Sequence, residues 1–190
     1  MGGLTMDTIA AIYGRRSIRD YQPRLVPRSL IEPILHDAAQ APTPPVSATA
    51  PFVFIVIEGI ERVAECGAQA LAFAKENRKP GAAYDWVDQP GFSVFFNAPA
   101  AVVICGFNDG YGQALQDCNR AGQNLMLSAH ARGLGTCWVG SPMLWLRDPA
   151  TCAGLGVSAD YAPHAAFTLG YPSGVPSGQP RAMPRIIWRA

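Results

Sequence analysis

The sequence predicts an α+β fold in which helices pack on a small sheet. Helical and extended segments alternate irregularly, and no two consecutive βαβ units of even length are evident, which argues against a doubly wound sheet. The 190 residues suit one compact domain over residues 1–190, and 49% of them are hydrophobic while 15% are charged. A chain this apolar is expected to cover part of its surface with a second subunit.

The predicted helices are Thr8–Tyr13, Arg28–Gln40, Glu61–Arg78 and Gln113–Arg132. Gly or Pro residues lie at a boundary of each of the first three. The fourth is the longest, and its apolar residues recur three and four positions apart. Because Ala121, Gly122, Ala129 and Ala131 are small, this helix is predicted to let another helix approach closely, as in a homodimer interface.

The predicted strands are Phe52–Ile57, Ala100–Cys105, Thr136–Val139 and Ala165–Leu169. The first two are continuous apolar runs of strand length, which is typical of buried strands. In the segment Arg16–Tyr21, alternate residues predict a further short strand that points its polar faces at a fixed target. The Pro- and Gly-rich segment Gly170–Pro184 is expected to be an extended tail.

Composition excludes several classes of protein. A formal net charge of +1 argues against a nucleic-acid or membrane-surface protein. No apolar run reaches the ~18 residues that span a bilayer, and Asp7 precedes any long apolar segment, so no signal peptide is expected. Five cysteines without a C-x-x-C spacing favour reduced thiols in a cytoplasmic protein. The three histidines are too far apart in sequence to predict a metal site.

The most informative segment is Gly133–Met143, which reads Gly-Leu-Gly-Thr-Cys-Trp-Val-Gly-Ser-Pro-Met. It follows a helix, opens on two glycines and continues as a strand that ends at Gly140. A glycine there would present bare backbone N–H groups to a flat ligand, without a Cβ in the way. Within this strand, Cys137 is predicted to be a small core residue. For Trp138, core packing is favoured over stacking on a ligand.

A second motif, Arg15-Arg16-Ser17-Ile18-Arg19, is the densest basic group of the chain. Guanidinium groups match phosphate oxygens in a bidentate way, and a serine hydroxyl adds a neutral donor. For an arbitrary basic turn, exposure to solvent without a ligand is the commoner outcome. The combination with the glycine-rich segment therefore matters more than either motif alone.

The two motifs, in this order and separation, resemble those of the FMN-dependent nitroreductase family. Gln123–Leu127 before the glycines and Leu169-Gly170-Tyr171-Pro172 before a basic tail add to the resemblance, which runs from about Ile9 to Trp188. It implies a three-layer α/β/α sandwich with a small mixed, mainly antiparallel sheet. It also implies an intertwined homodimer with two FMN sites at the interface.

The resemblance also assigns site residues. Arg15, Arg16 and Ser17 would hold the phosphate and ribityl chain of FMN, and Arg19 would lie near the pyrimidine edge of its ring, where negative charge collects on reduction. The backbone of Val139, Gly140 and Ser141 would lie at flavin N5. Arg181 matches the second phosphate-binding cation of the family, with Arg185 as the other candidate.

One segment departs from the family pattern. Relatives usually carry Pro-Ser-x-x-Asn-x-Gln-Pro-Trp after the second helix, which supplies polar contacts to the flavin across the dimer. Here Pro44–Ala50 contains neither Asn nor Gln, and Thr43 stands in for the usual serine. The affinity for FMN and the substrate pocket are expected to differ from those of typical members.

The function expected from the resemblance is an FMN-dependent oxidoreductase that passes hydride from NAD(P)H through flavin N5 to a small acceptor such as a nitroaromatic or quinone. The cofactor performs the chemistry, so no catalytic side chain is predicted. One alternative is a specialised member, such as a flavin-using dehalogenase, an azoline dehydrogenase or a flavin-fragmenting enzyme. Another is a non-catalytic flavin-binding store or sensor. The sequence does not distinguish NADH from NADPH, nor identify the physiological acceptor.

Overall fold

The structure is a computed structural model that describes residues 6–44, 50–78, 85–108, 110, 112–179 and 181–189. Its helices are α1 (Thr8–Gly14), α2 (Arg28–Ala38), α3 (Ile60–Asn77), α4 (Ala114–Ala131), α5 (Met143–Leu146) and α6 (Pro149–Gly154), with a 3-10 turn at Asp85–Asp88. Its strands are β1 (Phe52–Glu58), β2 (Ala100–Phe107), β3 (Gly135–Trp138) and β4 (Tyr161–Gly170). Most of the departing segment Pro44–Ala50 lies outside the described residues.

Every predicted helix and strand is present, with ends that differ by a few residues. The short helices α5 and α6 were not predicted, because four and six residues carry too little periodicity to be recognised. The carboxylate of Asp148 caps the N-terminus of α6 by accepting a hydrogen bond from the Thr151 N–H at 3.0 Å.

The sheet has the strand order β1-β2-β4-β3, and every neighbouring pair is antiparallel. The sheet was predicted to be mixed, but its four strands are all antiparallel to their neighbours. Parallel pairing occurs only at a single bridge between Ser17 and Thr136, beside β3. The register of β2 with β4 shifts between Ile104 and Cys105, so β4 contains one extra residue there.

The predicted three-layer arrangement is confirmed by the two cores on either face of the sheet. Alternate residues of β2 point to opposite sides, so Val102 and Ile104 pack under α2 and α4, whereas Val103 and Cys105 pack under α3 and α5. All four are fully shielded from solvent. A strand covered on both faces requires a continuous apolar sequence, which is why β2 is apolar throughout.

Three of the four small residues of α4 do not form the interface that was predicted for them, and the fourth, Ala131, is half-buried. Ala121, Gly122 and Ala129 are buried within the chain, on the core side of the helix. A Cβ at Gly122 would collide with the ring of Phe167, so this glycine accommodates an aromatic side chain of β4. The homodimer remains a prediction, but it needs another surface. No helix among the described residues is long and apolar enough to cross a membrane.

Candidate functional site

The turn from α4 into β3 explains the first glycine of the motif. Gly133 has φ +77°, a left-handed conformation that other residues rarely adopt. Its N–H donates to the His130 carbonyl at 3.0 Å, and the next N–H, of Leu134, donates to the Ala129 carbonyl at 2.9 Å. This pair of bonds is a Schellman motif, which ends the helix and directs the chain back along the sheet.

The second glycine permits a close approach of the basic motif. A Cβ at Gly135 would lie 2.6 Å from Cγ1 of Ile18, so only glycine admits the N-terminal segment at this distance. The Ile18 N–H donates to the Thr136 carbonyl at 2.9 Å, and Ser17 bridges Thr136 in the parallel sense. The basic segment and β3 therefore run parallel to each other.

This direction orders the predicted ligand contacts along β3. Arg15 lies towards the start of β3, Ser17 beside Thr136, and Arg19 towards the end where Gly140 follows. Thr136 and Gly140 are four steps apart along the chain, and at ~3.3 Å per step of extended backbone this is about 13 Å. A ligand that touches both ends of this line must be long, with distinct chemical groups at its two ends.

Tyr21 fixes the basic segment to the sheet. Its hydroxyl donates to the Ile18 carbonyl at 2.7 Å and lies 2.6 Å from Oγ1 of Thr168, which in turn accepts the Cys137 N–H at 3.0 Å. Burial raises the pKa of Tyr21 well above its ordinary value, so the phenol stays protonated. The predicted short strand is thus an extended segment with one bridge at each end, at Ser17 and at Tyr21.

The alternate residues Arg15, Ser17 and Arg19 all approach the thiol of Cys137. The thiol itself donates to the Trp138 carbonyl at 3.4 Å, and the Ser17 hydroxyl and the two guanidinium groups are close enough to lower its pKa. Burial has the largest effect and raises the pKa of Cys137, although Arg19 and the Ser17 hydroxyl oppose it. The thiol is therefore protonated at neutral pH, as expected for a buried core residue.

Arg16 points away from these three residues. Its guanidinium donates to the carbonyls of Tyr13 and Arg15, at 2.7 and 2.9 Å, and contacts the tail at Gly178. The tail also brings Arg181 close to Arg15. Burial lowers the pKa of Arg15, and the positive charges of Arg16 and Arg181 lower it further.

Within the described residues, the arginines of this cluster have no carboxylate partner, which is also true of Arg24, Arg147, Arg185 and Arg189. Five arginines elsewhere form ion pairs with carboxylates, namely Arg28, Arg62, Arg78, Arg120 and Arg132. Within the described part of the chain, Arg15, Arg16, Arg19 and Arg181 form none. Clustered guanidinium groups repel one another unless an anion lies between them. The guanidinium groups of Arg15, Arg16 and Arg181, together with the Ser17 hydroxyl, form a donor set that fits a phosphate dianion.

His130 lies beside this cluster, a position that the sequence does not predict. Its Nε2 lies 2.7 Å from the point that a Cβ of Gly14 would occupy, so the imidazole packs against the end of α1. Burial lowers its pKa first, and the charges of Arg15 and Arg16 lower it further. Its position could be found only from the packing of α1 on α4, which no local pattern encodes.

At the other end of the line, backbone donors are open. The Val139 N–H donates to the Ala166 carbonyl at 2.9 Å and is used by the sheet. The N–H groups of Gly140 and Ser141 donate to no other residue in the ranges described. A Cβ at Gly140 would meet no atom within 4 Å, so the space over this backbone is free. Gly140 and Ser141 thus suit a ring acceptor such as flavin N5 better than Val139 does.

Trp138 differs from the prediction of core packing. Its side chain is 48% exposed, and its ring lies 6.0 Å from that of Phe167 at a tilt of 30°. Thr136, on the same face of β3 as Trp138, and Cys137, on the opposite face, are both buried, so Trp138 is exposed because it lies at the end of the strand. An aromatic face is therefore available beside Gly140.

Thr43 is separate from the other predicted contacts. The preceding residue, Pro42, accepts a hydrogen bond from Nε of Arg120 at 2.8 Å, which holds this segment against the first half of α4. Arg120 and His130 are ten residues apart on the same helix, or about 15 Å along its axis. Within one chain, Thr43 thus belongs to a different region from the arginine cluster.

The edge strand of this three-layer fold has a cluster of cations at one end and free backbone donors at the other. This arrangement is typical of a protein that binds a long phosphorylated ligand. Residues 12–171 match the Nitroreductase family. The protein provisionally named NADH dehydrogenase/NAD(P)H nitroreductase from Methanothermobacter thermautotrophicus is 32% identical over 174 residues, which cover 88% of this chain and 78% of the relative. The chain belongs to the nitroreductase family, as its motifs predicted.

Solved structures agree with this assignment. A nitroreductase with bound FMN from Bacteroides fragilis superposes with a TM-score of 0.82 at 22% identity, covering 98% of this chain and 100% of the other. A nitroreductase with bound FMN from Desulfitobacterium hafniense gives a TM-score of 0.77 at 25% identity, with the same coverage. The nitroreductase-like fold is therefore confirmed.

Proposed function

We propose that this protein is an FMN-dependent oxidoreductase that transfers hydride from NAD(P)H to a small acceptor such as a nitroaromatic or a quinone. The names of its relatives support both the cofactor and the reductant, since two similar structures bind FMN and the archaeal relative is provisionally named an NAD(P)H nitroreductase. The observation that carries the proposal is the line from the unpaired arginines to the open backbone of Gly140.

The two ends of this line match the two ends of FMN. Arg15, Arg16 and Arg181, together with the Ser17 hydroxyl, hold the phosphate and the start of the ribityl chain. Arg15 and Ser17 approach along the side of the segment that faces Cys137. Arg16 contributes charge while it also holds the end of α1 through backbone carbonyls. The phosphate removes the repulsion between the guanidinium groups, so binding stabilises the folded site.

The ring end is organised for electron transfer. Arg19 lies level with the end of β3 and stabilises negative charge on the pyrimidine edge of the ring. The Gly140 and Ser141 N–H groups orient the ring at N5. When bound, FMN supplies the hydride chemistry, and the protein supplies position and electrostatics. No side-chain nucleophile is needed, which agrees with the protonated thiol of Cys137.

We further propose that the protein is a cytoplasmic single-domain homodimer. Thr43 is separate from the arginine cluster of its own chain, and the family resemblance implies that its segment contacts the flavin across the dimer, so we propose that it serves the site of a second copy. Apolar side chains left exposed on α1 and on the tail give that copy surface to cover; they are Ile9, Ile12, Tyr13, Met183, Ile186, Ile187 and Trp188. Sedimentation of a dimer at micromolar concentration supports this assembly, whereas a 20.3 kDa species contradicts it.

Comparison of FMN with riboflavin tests the cofactor assignment, because riboflavin has the same ring and ribityl chain but no phosphate. A phosphate held by charge-assisted bonds at about 1.5–3 kcal/mol each makes FMN bind at least a hundredfold more tightly. Equal affinity for the two flavins, measured by fluorescence titration, would show that the arginine cluster is not the phosphate site.

A further inference from the structure

A cavity of about 500 Å³ opens beside Gly140, between the first half of α4, the end of β3, α5 and β4. This volume is within the range of small-molecule sites. The half-exposed indole of Trp138 forms part of its wall, and Arg147, His164 and Asn119 provide the polar atoms. None of these three polar residues belongs to the proposed FMN contacts.

A bulge in β4 places His164 in this wall. Ile104 pairs with Ala165 and Cys105 pairs with Pro163, so His164 is the extra residue between them. Such bulges redirect a side chain out of the regular alternation of a strand. Its Nε2 is shielded from solvent yet has no hydrogen-bond partner in the described ranges. Burial, and then the charge of Arg147, lower the pKa of His164, so the imidazole is neutral at neutral pH.

Arg147 is the formal charge in the cavity wall, and the described residues give it no carboxylate. Its Nε makes a long hydrogen bond of 3.4 Å to the Pro163 carbonyl, which leaves its terminal nitrogens available. The carboxylate of the adjacent Asp148 accepts hydrogen bonds from the N–H and the hydroxyl of Thr151 at the start of α6. Oδ1 of Asn119 is also buried without a partner. The cavity therefore combines one cation, an aromatic face and two unsatisfied polar atoms, with no acidic residue.

We propose that this cavity is the acceptor pocket and that it selects planar aromatic acceptors carrying a carboxylate. Arg147 pairs with the carboxylate, the ring stacks on Trp138, and His164 and Asn119 hydrogen bond to polar substituents after small side-chain rotations. The inference rests on the proposed function, because Gly140 lines the cavity and also faces the flavin. An acceptor whose ring stacks on Trp138 then lies next to the flavin that donates the hydride.

Calorimetric titration of the purified protein with benzoate and with benzamide tests the charge selectivity without any turnover. The two probes share a ring and a planar substituent, and only benzoate carries a negative charge. We expect benzoate to bind at least tenfold more tightly. Arg147→Gln should abolish this preference, and Arg147→Lys should retain part of it. The matched control is Arg62→Gln, which removes an exposed arginine paired with Glu65 on α3 and should retain the preference in full.

A second measurement compares KM for 4-nitrobenzoate and 4-nitrobenzamide. In each turnover NADH and one proton convert the nitro group to nitroso and water, with NAD⁺ as the other product. A lower KM for the carboxylate in the wild type but not in Arg147→Gln supports the pocket. Equal affinities and equal KM values in the wild type, or a preference that survives Arg147→Gln, overturn it. Failure to bind FMN would instead refute the proposed function while leaving the benzoate result interpretable.

Discussion

Replacing Gly140 by valine separates the role of this residue in the ligand site from any role in folding. Most glycines with a functional role are also structurally required, so their variants lose both properties. Gly140 is an exception here, because its backbone does not need a positive φ and a Cβ would meet no atom within 4 Å. The protein alone therefore tolerates a side chain at this position, whereas a flavin above the backbone does not.

The expected magnitudes differ widely. An exposed substitution without a clash changes the free energy of unfolding by no more than about 0.5 kcal/mol. Loss of the donor to N5 costs about 0.5–1.5 kcal/mol of binding, and the isopropyl group also occupies the position of the ring. Together these effects should weaken FMN binding by at least a hundredfold, or about 2.8 kcal/mol.

The assay pairs urea unfolding with FMN titration for three variants. Gly140→Val should keep its stability and lose its cofactor. Gly154→Val is the matched control, because its Cβ also meets nothing and it lies at the end of α6, away from the site; it should keep both. Gly135→Val should lose both, since its Cβ collides with Ile18. Retention of FMN by Gly140→Val at wild-type affinity would refute the placement of the ring over this backbone.

Three further predictions concern charged and titratable groups. Arg15→Ala should weaken FMN binding ten- to a hundredfold by fluorescence titration, whereas Arg28→Ala, which breaks only an exposed pair with a glutamate, should leave it unchanged. Arg19→Ala should lower both the rate of flavin reduction and the midpoint potential, while Cys137→Ala should keep the rate in stopped-flow experiments within about tenfold. Because the pKa of His130 is depressed in the folded state, the unfolded state binds its proton first; stability should fall as the pH drops through ~6.5, and less so in His130→Gln by urea unfolding at successive pH values.

The parts of the fold that the sequence predicts are those with a local cause. The apolar run of β2 follows from its burial on both faces, and Gly133 follows from the turn that ends α4. The basic motif was recognised for a similar reason, because guanidinium groups and a hydroxyl at adjacent positions have few other uses. The order of the two motifs predicted the family, which is confirmed, and it also predicted the two ends of the ligand site, which remain a prediction.

The features that were missed depend on contacts between distant segments. Three of the small residues of α4 pack in the core, and Gly122 makes room for Phe167, whose approach is set by the register of β4. Trp138 is exposed because it is the last residue of β3, beyond the buried Thr136 and Cys137, and the sequence does not reveal where the covering of a strand ends. The position of His164 depends on a bulge beside Pro163, and this proline was not used because the predicted strand began only at Ala165.

The difference between Arg16 and its neighbours belongs to the same group. In sequence it is equivalent to Arg15, but in the fold it holds the end of α1 and contacts the tail. Only the extended backbone between the two bridges separates the residues that face Cys137 from those that do not. The motif therefore predicts the arginines as ligand contacts, and the three-dimensional arrangement shows that Arg15 and Arg16 make different contacts within the chain.

Anaerobic titration of the FMN-loaded protein with NADH or NADPH tests the central claim most directly. The oxidised flavin absorbance should bleach with one equivalent of reductant per flavin, and it should return when a quinone or a nitroaromatic is added. The same titration on Gly140→Val, which should carry no flavin, controls for free cofactor. A wild-type protein that holds FMN but stays oxidised with both reductants would contradict the account and favour a flavin store or sensor.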